Sequence, residues 1–147
     1  MLINKIEIKS PETEKDFNDY YHLRWFVLRR DFENNIESSK DELENNSSHV
    51  MAIYNQKVIG VGRIHKINDK NSQIRYMAID PNFRRLGIGN LILSELIRIA
   101  RLEKQKYIIL HSREKAIKFY KKNNFILIKK SHLLYDKIQH YLMQREL

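Results

Sequence analysis

The stretch NFRRLGIGN, residues 82–90, decides the fold because it joins an apolar extended run to an apolar-periodic segment. Residues 74–79 read as a strand and residues 91–100 as a helix with one apolar face. Only 4 of the 147 residues are glycine, and Gly87 and Gly89 stand here beside two arginines. The first N–H groups of a helix are unpaired and carry partial positive charge, and glycine lets backbone approach a ligand closely. The junction is therefore predicted to bind phosphate groups.

The motif differs from the two common nucleotide-binding loops. The dinucleotide fingerprint G-x-G-x-x-G is absent, and the loop lacks the G-K-S/T ending that binds nucleoside triphosphates. Taken alone, R-x-x-G-x-G also fits two ordinary turn glycines, so the motifs on either side of it decide between the two interpretations.

Three sequence blocks, in the same order, resemble motifs of the GNAT superfamily of N-acetyltransferases. Residues 74–93, IRYMAIDPNFRRLGIGNLIL, resemble its acyl-CoA-binding motif Q/R-x-x-G-x-G/A. Residues 109–125, ILHSREKAIKFYKKNNF, resemble the strand–helix motif that follows, with its A-x-x-F/L-Y core. Residues 21–32, YHLRWFVLRRDF, resemble the L-R-x-x-V-F opening helix of many small bacterial members. With their spacing, the blocks cover the chain from about residue 20 to residue 143.

The resemblance implies both a fold and a reaction. The implied fold is α/β, with a mixed, mostly antiparallel sheet, a parallel central pair splayed to hold acyl-CoA, and helices on both faces. The implied reaction is direct transfer of an acetyl group from acetyl-CoA to a primary amine of a small molecule or protein. Acetyl-CoA is accordingly the expected cofactor. The sequence does not identify the amine acceptor, and homodimerisation, common among relatives, has no signature in it.

Composition favours one globular domain spanning residues 1–147. Hydrophobic residues make up 42% of the chain, and 1 Trp, 8 Tyr and 6 Phe supply bulk for a core. The absence of cysteine excludes disulfides and thiolate metal sites. The six histidines lack H-x₃-H and H-E-x-x-H spacing, so no metal is expected. Neither an apolar run of about 18 residues nor a charged-then-apolar leader occurs, which predicts a soluble, cytoplasmic protein without a membrane partner.

Charge is unevenly distributed along the chain. Residues 1–50 contain 7 Lys/Arg and 11 Asp/Glu, whereas residues 51–147 contain 20 and 7, so the net charges are −4 and +13. The basic part includes the predicted phosphate site, where it would attract a polyanionic cofactor. A basic surface also suits nucleic acid, which keeps an RNA-directed acetyltransferase acting on aminoacyl-tRNA as an alternative function. A second alternative is a non-catalytic acyl-CoA-binding sensor, because one family carboxylate is missing.

Hydrophobic periodicity predicts seven strands and four helices. The predicted strands are residues 3–9, 49–54, 57–67, 73–80, 107–110, 125–129 and 140–143. The predicted helices are residues 10–30, 39–44, 90–104 and 115–122. Gly60 and Gly62 indicate a bulge or the close approach of another backbone. Asn124 is expected to end a helix in the left-handed conformation, where family members usually have Gly.

Cofactor contacts follow from the resemblance. It implies that the pyrophosphate binds the backbone N–H groups of residues 85–90, with Arg84 at the Gln/Arg position of the motif. Pantetheine is expected to lie like an extra strand against residues 77–79, and the N–H of Met77 to stabilise the oxyanion. Arg113, near where many relatives have Asn, is expected to reach a CoA phosphate. The predicted cofactor contacts are Met77, Ala78, Ile79, Arg84, Arg85, Leu86, Gly87, Ile88, Gly89, Asn90, Arg113, Phe119 and Tyr120.

Tyr120 occupies the family's general-acid position. The resemblance implies that its phenol reprotonates the leaving thiolate. Nearby Lys118 and Lys121 are expected to lower the pKa of this phenol. The alternative interpretation is a tyrosine that only fills one face of a helix.

The general base has no clear counterpart. Some family members carry a Glu five residues before the Ala that matches Ala78, and here that position holds Gln73. Gln73 cannot accept a proton but can orient a water molecule. His111 and His140 are the nearest substitutes, the alternatives being structural histidines and an amine that binds already neutral through ordered water.

The acceptor pocket is expected to combine the region of the first helix with the loop before the last strand. The residues expected to line it are Trp25, Asp31, Phe32, Glu33, His140 and residues 132–139. The acidic first third of the chain would attract a cationic amine, or else form solvated helix surface.

Overall fold

The computed structural model describes residues 2–147 and contains a seven-stranded sheet. Its strands are β1 (Glu7–Lys9), β2 (Ser48–Tyr54), β3 (Lys57–Lys66), β4 (Asn71–Ile79), β5 (Tyr107–Arg113), β6 (Ile126–Leu134) and β7 (Ile138–Glu146). The order across the sheet is β1-β2-β3-β4-β5-β7-β6, and only the β4–β5 pair is parallel within the described residues. The α-helices of this part of the chain are α1 (Glu14–Leu28), α2 (Ile88–Leu102) and α3 (Ile117–Lys122). No helix among residues 2–147 has both the length and the apolar character needed to cross a bilayer.

The helices cover opposite faces of the sheet. On one face, which we call the α2 face, Ile92 of α2 and Tyr120 of α3 belong to the same core cluster. On the other, the α1 face, Tyr20 and Leu23 of α1 form a second cluster with Ala78 of β4. This arrangement confirms the predicted mixed sheet with helices on both faces.

Two glycines allow α2 to lie close to β3. A Cβ atom on Gly60 would lie 2.7 Å from Ile92 Cδ1, and one on Gly62 would lie 2.8 Å from Ile92 Cγ2. The register between β3 and β4 also shifts between Val61 and Arg63. Both alternatives predicted for these glycines, a bulge and a close approach, are therefore present.

The parallel pair β4–β5 diverges beyond its first residues. Residues 71–74 pair with residues 107–110, and the pairing then ends. Just beyond this point Tyr76 has a left-handed φ of 59°, and Tyr76 and Met77 both fall opposite Gly62 of β3. A bulge of this kind bends a strand. The C-terminal halves of β4 and β5 consequently separate, which confirms the predicted splayed pair.

Charged side chains surround the left-handed residue. The guanidinium carbons of Arg24, Arg75 and Arg63 lie 4.2, 4.4 and 5.0 Å from the centroid of the Tyr76 ring. The left-handed conformation costs a residue with a Cβ about 1–2 kcal/mol. Each cation–π contact contributes about 0.5–2 kcal/mol, so the ring contacts offset that cost.

Ion pairs tie the acidic segment between α1 and β2 to the α1 face. Arg63 Nη1 lies 2.6 Å from Asp41 Oδ1 and 2.8 Å from Glu44 Oε2. Arg24 pairs with Glu44 at 3.0 Å, and Arg75 pairs with Asp41 at 2.8 Å. The side chains of Arg24 and Arg63 are fully buried. These two carboxylates are already paired with arginines within the protein, so their charges are compensated there.

The first strand and the first helix begin later than predicted. Leu2–Lys5 form a 3₁₀ turn, which leaves only Glu7–Lys9 extended. α1 begins after Thr13 rather than at Ser10. Thr13 Oγ1 accepts a hydrogen bond from Asp16 N at 3.0 Å, and the Asp16 carboxylate accepts one from Thr13 N at 3.2 Å. This reciprocal capping box fixes the first turn of the helix.

Two further predictions of local structure are wrong, and one is confirmed. The predicted helix at residues 39–44 is replaced by 3₁₀ turns at Ile36–Ser39 and Glu44–Asn46. The expected loop before the last strand is short, because β6 and β7 form a hairpin joined only by residues 135–137. Asn124 adopts φ 66°, the left-handed conformation predicted for the end of α3.

Candidate active site

The divergence of β4 and β5 opens a cavity of about 870 Å³ between them. Its walls are the C-terminal halves of both strands, the last turn of α1, the start of α2, α3 and the β6–β7 hairpin. The predicted site residues that line it are Gln73, Met77, Ala78, Ile79, Arg84, Arg85, Gly87, Ile88, Gly89, Asn90, His111, Arg113, Phe119, Tyr120 and His140. Trp25, Asp31, Phe32 and the exposed Leu86 lie outside the lining.

The start of α2 directs backbone N–H groups into the cavity. Gly87 is the N-cap residue, with φ 85°, and no side chain of the described residues caps the helix. The N–H groups of residues 88–90 precede the hydrogen bond from Leu91 N to Gly87 O, which is 3.2 Å long. The exposed side chains of Arg84 and Arg85 stand beside them. Backbone donors and two cations at one mouth of the cavity are the chemistry that binds phosphates.

Local geometry and packing also favour glycine at both positions of the motif. Gly87 has a left-handed φ, and a Cβ atom there would lie 2.9 Å from Ile3 Cδ1. A Cβ atom on Gly89 would lie 3.2 Å from the ring of Phe119 in α3. The two interpretations of these glycines, as turn residues and as part of a phosphate site, are thus compatible with each other.

Tyr120 lines the cavity from the α2 face. Its ring packs between Phe119 and Phe125, with centroids 5.0 and 5.6 Å away. Burial raises the pKa of its phenol well above the ordinary value of 10.0, and no nearby charge lowers it. The prediction that Lys118 and Lys121 lower this pKa is therefore wrong, because both side chains are exposed to solvent. The phenol stays protonated at neutral pH and can act only as a hydrogen-bond and proton donor to a thiolate.

Three histidines come together in the cavity on the α1 face. The rings of His132 and His140 stack with centroids 4.3 Å apart, and the ring of His111 lies 5.2 Å from that of His132. Burial lowers the pKa of all three, that of His140 to about 4, so all are neutral at pH 7. His140 Nδ1 lies 3.1 Å from the carbonyl oxygen of Ile138, to which it can only donate, which leaves Nε2 as a proton acceptor.

His132 was not singled out by the sequence, although it lay within the predicted acceptor loop. A correct prediction of the β6–β7 hairpin register would have identified His132. In that register Leu133 pairs with Gln139 and Leu134 pairs with Ile138. Extending that register by one residue places His132 opposite His140. The short turn therefore determines which two imidazoles stack.

Alternation along β5 separates the two sides of the cavity. Leu110 packs in the core of the α2 face, so His111 and Arg113 point to the α1 face. Arg113 Nη2 accordingly donates to the carbonyl oxygen of Leu28, at the end of α1, over 2.9 Å. The prediction that Arg113 reaches a CoA phosphate does not fit this geometry, because the start of α2, where the pyrophosphate is predicted to bind, lies on the opposite face.

The end of α1 enters the cavity through residues that sequence reasoning missed. Val27, Leu28 and Arg29 line it, and the Arg29 side chain is only 9% exposed. Trp25 instead donates from Nε1 to the carbonyl oxygen of Glu33 over 2.8 Å. The hydrophobic periodicity of α1 predicts which face of the helix is buried. It does not predict which residue lies next to the opening in the sheet, so the sequence did not indicate Arg29.

Two other residues predicted for the acceptor pocket, Phe32 and Asp31, lie outside the cavity lining. Phe32 stacks on Tyr135 of the β6–β7 turn, with ring centroids 4.7 Å apart and an interplanar angle of 8°. Asp31 lies beyond them with its side chain 82% exposed. The stack joins the segment after α1 to the turn of the β6–β7 hairpin.

Known proteins share this fold and sequence pattern. The model of the acetyltransferase (GNAT) family matches residues 7–125. The uncharacterized N-acetyltransferase YjcF of Bacillus subtilis is 25% identical over 135 residues, which cover 92% of this chain and 96% of that protein. A GNAT family acetyltransferase from Elizabethkingia anophelis, solved with acetyl-CoA bound, has a TM-score of 0.78 at 16% identity, over 98% of this chain and 99% of its own. Ard1 from Thermoplasma volcanium has a TM-score of 0.82 at 21% identity, over 97% and 98%. The chain belongs to the GNAT family of acetyltransferases.

Proposed function

We propose that this protein transfers an acetyl group from acetyl-CoA to a primary amine, directly and within a ternary complex. The observation that carries the proposal is the cavity between the diverging strands, with α2 N–H groups at one mouth and neutral imidazoles at the other. Family membership supports the reaction class, and the Elizabethkingia anophelis protein of the same fold has acetyl-CoA bound.

The residues on the α2 side fit the parts of the cofactor. The N–H groups of residues 88–90, with Arg84 and Arg85, would hold the pyrophosphate. Residues 77–79 lie beyond the part of β4 that pairs with β5, so the edge that faces β5 borders the gap and can bind the amides of pantetheine. Acetyl-CoA supplies the acetyl group as a thioester. The N–H of Met77 would stabilise the developing oxyanion, a contribution of about 3–4 kcal/mol in a dry site.

The remaining residues would transfer two protons, one to the leaving thiolate and one from the amine. As the amine nitrogen bonds to the carbonyl carbon and the C–S bond breaks, Tyr120 donates its phenolic proton to the sulfur. Burial raises the pKa of Tyr120, and the same dry surroundings raise the proton affinity of the thiolate, so donor and acceptor stay matched. The proton lost by the amine passes to a neutral imidazole, for which His140 Nε2 is placed. Gln73 lines the same cavity and would orient the amine or a water molecule.

The pH dependence of turnover should report the imidazole. Because burial lowers the pKa of His140, and the charges of its neighbours lower it further, kcat should fall on the acid side with an apparent pKa below 6.5. The measurement is kcat against pH at saturating acetyl-CoA and acceptor, for the wild type and His140→Gln. The variant should lose both the acid limb and most of the plateau rate, by about 100-fold. An acid limb that persists unchanged in His140→Gln would assign the proton to another group.

Acetyl-CoA should raise the melting temperature. At a concentration one hundred times its dissociation constant it stabilises the folded state by about 2.7 kcal/mol, which shifts Tm by about 5–10 °C in a chain of this size. Arg84→Ala should at least halve the shift at the same concentration, because one cation–phosphate contact is lost. Arg101→Ala, an exposed arginine in the last turn of α2, is the matched control and should leave the shift intact. An unchanged melting temperature at millimolar acetyl-CoA would contradict the proposal that this protein uses acetyl-CoA.

A further inference from the structure

Two guanidinium groups on the acceptor side of the cavity, one buried and one partly buried, have no carboxylate partner. Arg29 and Arg113 both line the cavity on the α1 face, and each donates to the carbonyl oxygen of Leu28, over 3.2 and 2.9 Å. Neither forms an ion pair with any Asp or Glu of residues 2–147. Arg24, Arg63 and Arg75 on the same face differ in this respect, because each is paired with Asp41 or Glu44.

The charges of these two arginines act on each other and on the imidazoles. Burial lowers the pKa of both guanidiniums, and the charge of Arg29 lowers that of Arg113 further. Burial is also the main cause that lowers the pKa of His140, with smaller contributions from His132, Arg113 and Arg29. This end of the cavity is therefore positively charged and lacks an internal counter-charge. Desolvating two cations is costly unless an anion binds between them.

The cofactor phosphates are not that anion. The start of α2, with Arg84 and Arg85, lies on the opposite face of the sheet, and both guanidinium groups instead contact the end of α1 at the Leu28 carbonyl oxygen. Their neighbours are instead the aromatic ring of Tyr76 and the stacked histidines. The centroid of the Tyr76 ring lies 5.9 Å from the Arg29 guanidinium carbon. The anion must therefore belong to the molecule that brings the amine.

We propose that the amine acceptor carries an anionic group, a carboxylate or a phosphate, which Arg29 and Arg113 bind while the amine faces the imidazoles. The inference rests on the proposed acetyl transfer. A guanidinium offers two parallel N–H donors that match the oxygens of either group. The same positive charge disfavours a polyamine, which has no anionic group to compensate it. Anion binding would also cancel part of the field that lowers the pKa of His140, and so strengthen the base when the acceptor is in place.

The test compares pairs of amines in which one member carries the anion and the other lacks it. The probes are the free L-amino acids against their methyl esters, and 2-aminoethyl phosphate against ethanolamine, with CoA release measured at saturating acetyl-CoA. The free acid or the phosphate should exceed its neutral counterpart in kcat/KM by about 10- to 100-fold. The two series tell a carboxylate acceptor from a phosphate acceptor. With the preferred probe, the acid limb of kcat should lie at higher pH than with its neutral counterpart.

Arginine variants assign the effect to the proposed residues. Arg29→Gln should raise KM for the anionic probe by about 10- to 100-fold and leave KM for acetyl-CoA unchanged. Arg30→Gln removes the same charge from the adjacent, exposed position outside the lining, and should behave like the wild type. Arg113→Gln is the second variant if Arg29→Gln lowers Tm, and Arg29→Lys should restore part of the affinity.

Failure of this inference is separable from failure of acetyl transfer. If neutral amines are acetylated as well as their anionic counterparts, or if both glutamine variants match Arg30→Gln, the inference is overturned while the transferase activity stands. If none of the probes is turned over, their binding to the CoA-loaded enzyme is measured by calorimetry. Tighter binding of an anionic probe, lost in Arg29→Gln, would support the inference, and no binding at millimolar concentration would overturn it. A wild type that shows no thermal shift with acetyl-CoA would instead refute the transferase proposal itself.

Discussion

Replacing Tyr120 with Phe should lower kcat by about 100- to 1000-fold and leave the dissociation constant of acetyl-CoA unchanged. The substitution removes one hydroxyl group and keeps the ring that packs between Phe119 and Phe125. Since burial raises the pKa of this phenol, it remains protonated over the working pH range and is available as a proton donor. Steady-state kinetics with any acetylated amine, together with calorimetry of acetyl-CoA binding, make the measurement.

The matched control is Tyr107→Phe, which removes a hydroxyl at the paired start of β5, outside the cavity lining. It should retain the wild-type kcat. A Tyr120→Phe enzyme within threefold of the wild type would exclude Tyr120 as the proton donor. A wild-type protein that binds acetyl-CoA but acetylates no amine would favour the non-catalytic sensor, for which this substitution has no rate to lower.

Replacing Asp41 with Asn should destabilise the fold by about 3 kcal/mol, which lowers Tm by about 10 °C. Asp41 accepts charge-assisted hydrogen bonds from Arg63 and Arg75, and the Arg63 side chain is fully buried. Removing the Asp41 carboxylate leaves Glu44 as the carboxylate paired with Arg63, so the expected loss of stability is at the low end of the range for a broken buried ion pair. Asp19→Asn, which breaks only the exposed pair with Lys15, should leave Tm nearly unchanged.

The same carboxylate predicts how stability depends on pH. Burial alone would raise the pKa of Asp41, but hydrogen bonds from Arg63 and Leu43 N and the charges of Arg63 and Arg75 outweigh it and lower the pKa to about 2. The folded state therefore binds fewer protons than the unfolded state between the ordinary value of 3.8 and about 2, and stability is lost as pH falls through that window. Asp41→Asn should show a smaller loss over this range, and an identical acid profile in the two proteins would contradict this assignment.

The parts of the fold that could be predicted are those whose signal is local. The strand-to-helix junction at residues 82–90 is marked by glycines that local geometry and packing require. The left-handed end of α3 at Asn124 was equally visible, because only a few residue types adopt that conformation readily. The three motif blocks then supplied the spacing that a single glycine pattern lacks, and the diverging parallel pair followed from them.

What could not be predicted depends on contacts between distant segments. The capping box moved the start of α1 to Thr13, although Ser10-Pro11 carries a comparable local signal. The acidic segment before β2 looked solvated because its partners, Arg63 and Arg75, lie on later strands. Arg29 joins the cavity only because the end of α1 passes the opening between β4 and β5. In each case the outcome depends on a second segment, distant in the sequence, whose charge or packing surface cannot be inferred from the first segment alone.

The separation of the cavity's two sides has a consequence for the kinetic order of the reaction. In the proposed arrangement the cofactor would bind from the α2 face and the acceptor from the α1 face, so neither ligand would lie across the path of the other. This arrangement would impose no obligatory sequence on binding, and free CoA could dissociate before or after the acetylated product. A compound that joins CoA covalently to an amine would have to span the sheet itself, occupying both faces at once.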